Sequence, residues 1–207
     1  MSKLDYQLQD QWPRLSNLES PINIATPTCQ FKSVADQPLT VNLTSGPVKK
    51  KDQVNGPQFL LTGTIQLGKK TYFLQKMHFH DGSEHYLNQQ PAKCELHFVC
   101  QDAKKHTLVL ALLANISEEA PKRNWDSLYK GQATTSAFSK LFEKQLAYYQ
   151  YQGSLTTPPL LPDVTWVVLA QPATINPSDY QVIHQDYPHN HRQLQDLKQR
   201  TITYYAY

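Results

Sequence analysis

Three histidines stand where their imidazoles could converge on one point. His78 and His80 lie in Lys76-Met77-His78-Phe79-His80, and His97 lies in Cys94-Glu95-Leu96-His97-Phe98-Val99. Side chains alternate along a strand with period two, so Lys76, His78 and His80 share one face, as do Glu95, His97 and Val99. Three imidazoles leave the fourth position of a tetrahedral zinc to water, as a catalytic site requires, whereas a structural site closes it with protein. Cys94 and Cys100 have the wrong parity relative to His97 to close it. Zinc so bound lowers the pKa of its water to about 7 and supplies hydroxide near neutral pH. The pattern H-x-H also occurs in exposed or structural histidines, so spacing alone leaves a metal site and ordinary histidines both open.

The elements that must position these residues are mostly short β-runs broken by Pro, Gly and Asn. Pro38 to Leu43 alternates weakly; Phe59 to Thr62 and Thr64 to Leu67 flank a tight turn expected at Gly63. Leu67-Gly68-Lys69-Lys70-Thr71 reads as a hairpin turn into Tyr72 to His80. Cys94 to Cys100 follows, and Thr107 to Ala114 and Val164 to Ala170 are continuous apolar runs of strands buried on both faces. Ala137 to Tyr149 carries apolar residues at helical spacing, and Asn176-Pro177-Ser178-Asp179 predicts a capped short helix to about Gln185. The expected fold is mainly β with peripheral helices (α+β), a single domain over residues 1–207 on a large, mostly antiparallel central twisted sheet.

Bulk properties narrow the function classes. A net charge of +3 is too weak and dispersed for nucleic acid. The densest cluster, Lys49-Lys50-Lys51, reads as a solvated loop. No segment approaches the roughly 18 apolar residues of a membrane span, and Met1 to Asn23 has no apolar signal-peptide core. The three cysteines are Cys29, Cys94 and Cys100. On one strand, Cys94 and Cys100 would stand about 20 Å apart, too far for a disulfide, so only Cys29 could pair with either. A cytoplasmic location is expected.

Longer segments carry a resemblance. Met77 to His85 (M-H-F-H-D-G-S-E-H), E-L-H-F-V at 95–99 and Y-Q-G-S-L-T-T-P-P at 151–159 resemble the defining segments of the α-class carbonic anhydrases. So do S-P-I-N-I at 20–24, V-T-W-V-V-L at 164–169, and H-N-H-R-Q-L-Q at 189–195 with Arg200 after it. The likeness runs in order from about Trp12 to Arg200, and the short loop between His80 and Ser83 is similar to the compact bacterial members. It implies a zinc lyase that interconverts carbon dioxide and bicarbonate and is inhibited by anions and sulfonamides.

The resemblance also implies roles. His78, His80 and His97 match the zinc ligands. Thr156 matches the threonine that accepts a hydrogen bond from zinc-bound hydroxide, and Glu84 the carboxylate that receives the threonine's proton. The Thr156 N–H would hold a developing bicarbonate oxygen, and Thr157 would line the polar side of the pocket. Glu95 matches the carboxylate bonded to the third ligand, fixing its tautomer, and Asn190 would offer its carbonyl to His80. Val99, Val109, Leu155 and Trp166 match the apolar wall against which carbon dioxide sits.

Three positions depart from the pattern. Efficient members carry a proton-shuttling histidine after an Asn-Gly pair, where this chain has Pro57 after Asn55-Gly56, so proton export is expected to limit turnover. His189 and His191 are alternative carriers. The amide expected beside the first ligand is Lys76, whose ammonium cannot accept a bond from imidazole. Leu60 stands where the polar face usually carries Asn or Gln.

Overall fold

The apolar run Thr107–Ile116 lies mid-sheet, with every side chain from Leu108 to Ala114 buried. The computed structural model describes residues 3–138, 141–142 and 146–207. Its strands are β1 (Asn23–Ile24), β2 (Gln30–Ser33), β3 (Leu39–Leu43), β4 (Lys49–Gln53), β5 (Gly56–Leu60), β6 (Gly63–Leu67) and β7 (Lys70–Asp81). They continue as β8 (Tyr86–Leu87), β9 (Cys94–Gln101), β10 (Thr107–Ile116), β11 (Tyr148–Gly153), β12 (Val164–Leu169), β13 (Ala173–Ile175) and β14 (Thr203–Ala206). Among the described residues helices are few: α1 (Asp126–Tyr129), α2 (Pro177–Asp186) and three short 3-10 segments.

The main sheet runs β2-β14-β11-β12-β10-β9-β7-β5-β4, with β6 also on β7, β3 on β6 and β13 on β10. It is mixed. Most ladders are antiparallel, but β10 pairs in parallel with β12 and β13, and β14 with β2. Parallel neighbours need a long crossover, and the chain between β10 and β12 contains α1 and β11. Local alternation does not encode that choice.

Side-chain alternation divides the sheet into two faces. One carries the large core of Phe59, Met77, Phe79, Leu96, Phe98, Leu110, Trp125 and Phe138. On the other pack Ile22, Ile24, Val109, Ala111, Tyr151, Trp166 and Val168. Cys94 and Cys100 fall on the first face, opposite the histidines, and all three cysteines are free.

Several local expectations are corrected. The Gly63 turn does not form: Gly63 opens β6, its α-carbon facing the Asn42 carbonyl so closely that a Cβ would lie 2.4 Å from that oxygen. Strands β5 and β6 each pair with β7, not with one another. The helical spacing over 137–149 ends in strand, since Tyr148 and Tyr149 open β11 against β12 and β14. Thr135–Phe138 is a 3-10 turn, and residues 139, 140 and 143–145 of that prediction lie outside the described residues. Lys49 to Lys51 is not a loop but part of edge strand β4, where lysine discourages further strand pairing. Helix α2 begins as its sequence directs: the Asn176 side chain accepts from the Ser178 N–H and Pro177 takes the first turn.

Candidate metal centre

Register brings the three histidines together. Across β7 and β9, His78 faces His97, His80 faces Glu95, and Lys76 faces Val99. The same row continues through Val99–Val109, Val109–Trp166 and Trp166–Tyr151, so an apolar wall adjoins the histidines on their own face. Leu155 and Val99 are half-buried beside that wall. The ring of Trp166 lies 4.9 Å from that of His97, and its Nε1 donates to the Ser154 carbonyl at 2.9 Å.

Ligand atoms of His78, His80 and His97 all lie within 4.8 Å of one another. His80 Nδ1 bonds the Asn190 carbonyl at 2.7 Å, and His97 Nε2 bonds Glu95 Oε1 at 2.7 Å. Both partners are acceptors, so those nitrogens carry the protons of the neutral rings. The other two, His80 Nε2 and His97 Nδ1, then oppose each other as lone pairs 3.1 Å apart. Such an arrangement repels unless a cation lies between the two. Bonds of 2.0–2.1 Å to a tetrahedral zinc place ligand nitrogens about 3.3 Å apart, so this donor set fits the ion.

Surrounding groups reinforce the donor set. Glu84 Oε2 stands 3.4 Å from His80 Nε2 and 3.8 Å from His97 Nδ1, with no hydrogen-bond partner among the described residues. Its Oε1 accepts from the Arg192 N–H at 2.8 Å. Burial holds His78 well below the ordinary imidazole range and lowers His80, with neighbouring imidazoles acting in the same direction. His78 and His80 are thus neutral and ready to ligate at neutral pH. His78 has no such brace: its Nδ1 is buried without a hydrogen-bond partner among the described residues. Lys76 stands in place of an acceptor, its own pKa lowered by burial and by Lys51.

Glu95 is fully buried and serves more than one histidine. Its Oε1 accepts from His97 Nε2 and from His85 Nδ1, each at 2.7 Å, and Oε2 from the N–H groups of Glu84 and His85, each at 2.8 Å. Burial pushes this carboxyl up, but His85 and His97 hold it well below the usual range. Beyond it, His85 Nε2 lies 2.7 Å from the Tyr151 hydroxyl, which is 2.9 Å from Ser20 Oγ.

The remaining predicted positions are placed as follows. Thr156 is buried, and no bond joins it to Glu84 in this structure. Thr157 Oγ1 is 3.4 Å from Asn55 Nδ2. Pro57 is buried in β5, whereas Leu60 at its end is exposed. His189 and His191 both meet Asp81. His189 Nδ1 stands 3.9 Å from Asp81 Oδ2, and His191 Nδ1 donates to the Asp81 carbonyl at 2.6 Å.

Sequence reasoning assigned no role to His85, Tyr151, Ser20, Arg192 and Asp81. All five lie inside recognised segments, but the bonds joining His85, Tyr151 and Ser20 span up to 131 positions. Arg192 is buried and donates to the Ser20 carbonyl and Glu19 Oε1. Its arginine character beside a run of polar residues gave no sign of burial.

Comparison with known proteins places the chain in a family. Residues 8–206 match the family model described as eukaryotic-type carbonic anhydrase. A carbonic anhydrase of Neisseria gonorrhoeae is 35% identical over 73% of this chain and 62% of its own length. Dioscorin DB3L of Dioscorea polystachya is 27% identical over 96% of this chain and 80% of its own. Among solved structures, the α-carbonic anhydrase of Photobacterium profundum superposes with a TM-score of 0.79 at 25% identity, covering 91% of this chain and 90% of that one. The Thermovibrio ammonificans enzyme, solved with sulfanilamide, gives 0.76 at 23% identity over 92% and 88%.

Proposed function

The chain belongs to the eukaryotic-type, or α-class, carbonic anhydrase family, and from that premise we propose that it hydrates carbon dioxide to bicarbonate and a proton at a zinc held by His78, His80 and His97. The observation that carries the reading is the pair of opposed lone pairs on His80 Nε2 and His97 Nδ1, 3.1 Å apart. The chemistry zinc supplies there is the lowering of a bound water's pKa to about 7.

The chain's own residues do the rest. Glu95 and the Asn190 carbonyl each fix the proton of a ligand ring on the nitrogen facing away from the centre, keeping the other a lone pair. Glu84 Oε2, free and buried, is the acceptor for the Thr156 hydroxyl proton; this leaves the Thr156 oxygen as acceptor toward the nucleophile and fixes its orientation. The Thr156 N–H stabilises charge developing on the product oxygen. Val99, Val109, Leu155 and Trp166 give an apolar surface for a neutral, apolar substrate and exclude competing water, while Thr157 keeps the opposite side polar. Pro57 cannot carry a proton, so export depends on buffer.

Sulfonamides and small anions are proposed to bind at the same centre, and the relative solved with sulfanilamide supports this. A cytoplasmic location is proposed on the free thiols of Cys29, Cys94 and Cys100. Pro57 and Lys76 favour a second reading, a binding module that keeps the fold without catalysis. Zinc analysis with stopped-flow hydration at low and high imidazole decides between them. The catalytic reading predicts one zinc per chain and turnover that rises with imidazole. Stoichiometric zinc without hydration would select the binding module.

A further inference from the structure

Asp81 follows ligand His80 directly, so its side chain points to the opposite face of β7. There it is buried yet surrounded by donors from two distant segments. Tyr180 Oη donates to Oδ1 at 2.8 Å and His184 Nδ1 to Oδ2 at 3.0 Å, both from α2 and one helical turn apart. The His189 N–H donates to Oδ2 at 2.8 Å. Burial pushes this carboxyl up, but the donors from His189, Tyr180 and His184 outweigh it and hold the group below the usual range.

The backbone of Asp81 is engaged as well. Its N–H donates to Asn190 Oδ1 at 2.6 Å, and its carbonyl accepts from His191 Nδ1 at 2.6 Å. Asn190 Nδ2 in turn donates to the Phe79 carbonyl at 3.0 Å. Residues 189–191 are therefore gripped at each position, and the group held between the grips is the Asn190 carbonyl, 2.7 Å from His80 Nδ1. Gly82 leaves the room this requires: its φ is +81°, and a Cβ would lie 2.6 Å from the His191 ring.

We infer that Asp81 is a positioning residue for the metal site: it clamps residues 189–191 and α2 to β7, holding the Asn190 carbonyl on ligand His80. The inference rests on the zinc reading above and extends it to a residue outside the ligand shell. Breaking the clamp frees the Asn190 carbonyl to drift, so the His80 ring loses its fixed orientation and tautomer. Partners of this kind typically change metal affinity 10–100-fold.

The test compares two buried α2-docking carboxylates in the full-length protein. Asp179 is also buried and accepts from the N–H groups of Arg123 and Trp125, at 2.8 and 2.9 Å, away from Asn190. Asp81→Asn keeps the shape but turns an amide donor on donors; Asp179→Asn does the same at the other contact. Both are expected to lower Tm. Only Asp81→Asn should speed zinc loss to a chelator, by about tenfold, with Asp179→Asn within twofold of wild type. In metal-free protein, exchange of the His80 Nδ1 proton with solvent should accelerate in Asp81→Asn alone. Should Asp81→Asn fail to fold, the double variant Tyr180→Phe/His184→Phe removes two donors and should still speed zinc loss several-fold.

Equal zinc loss from Asp179→Asn at equal loss of Tm would overturn the inference by reducing Asp81 to a stability residue. Unchanged zinc loss and proton exchange in Asp81→Asn would overturn it too. A wild type that binds no zinc would overturn the zinc reading instead, and the proton-exchange comparison would still decide the clamp.

Discussion

Replacing Lys76 with glutamine should tighten zinc binding about tenfold, reversing the usual loss when a residue beside a metal ligand is changed. Lys76 and His78 share a face of β7, about 6.6 Å apart along the strand, within reach of a glutamine side chain. His78 Nδ1 is buried without a partner among the described residues, and the ammonium near it cannot accept a bond. An unsatisfied buried donor costs about 1–3 kcal/mol, and each 1.4 kcal/mol is a factor of ten. A glutamine oxygen that satisfies Nδ1 therefore strengthens ligation by roughly five- to a hundredfold, of which about tenfold is the conservative expectation. Removing the half-buried ammonium, whose pKa burial and Lys51 already lower, acts in the same direction. Competition with a chromophoric chelator at neutral pH reads the affinity. Lys76→Met separates the two effects, since it removes charge without adding an acceptor and should gain threefold or less. Equal affinities for the glutamine and methionine variants would refute the hydrogen-bond reasoning, and unchanged affinity in both would refute the role of Lys76 altogether.

Other outcomes follow from the same geometry. Pro57→His should raise turnover at low buffer by about tenfold or more, short of the roughly 10²–10⁴-fold that a fully positioned acid–base group supplies, and stopped-flow hydration would show wild type approaching it only as imidazole increases. Metal-free protein should be acid-labile in two stages, read from denaturant midpoints from pH 8 down to about 2, through the range where the depressed carboxylate protonates. His78 and His80 have folded pKa values below 6.5, so the unfolded chain binds more protons and stability falls as pH drops below about 6.5. Glu95, depressed from 4.5, contributes stability above that value and loses it as pH falls through its folded pKa, so Glu95→Gln should flatten the second stage. Gly153→Ala would put a Cβ 2.1 Å from Ser20 Oγ, and should cost about 1–3 kcal/mol by overpacking and disturb the contact of Ser20 with Tyr151, measured by chemical denaturation.

Legibility in the sequence followed the range of the physics involved. Strand parity is local, and it placed His78, His80, His97 and Glu95 on the face they share. It also put Cys94 and Cys100 on the other. The cap at Asn176 and the turn at Gly68-Lys69, where β6 meets β7, were legible for the same reason. The parallel neighbours of β10 were not, because a crossover is chosen by packing of the whole sheet. Helical spacing at 138, 141, 142 and 146 misled, since Tyr148 and Tyr149 are claimed by cross-strand partners Leu169 and Val168. Asp81 escaped notice because its donors come from about 100 positions away. Its signal was a lone carboxylate at the end of a buried strand, answered by a Tyr and a His four apart on a helix. His85 was hidden by Gly82, whose positive φ ends the simple alternation of β7.

The most direct measurement titrates zinc into metal-free protein while following carbon dioxide hydration by stopped flow. The rate should rise in proportion to added zinc and break at one equivalent, with His97→Ala showing no rise at comparable zinc. Hydration that is independent of zinc, or one bound equivalent with no hydration, would contradict the account.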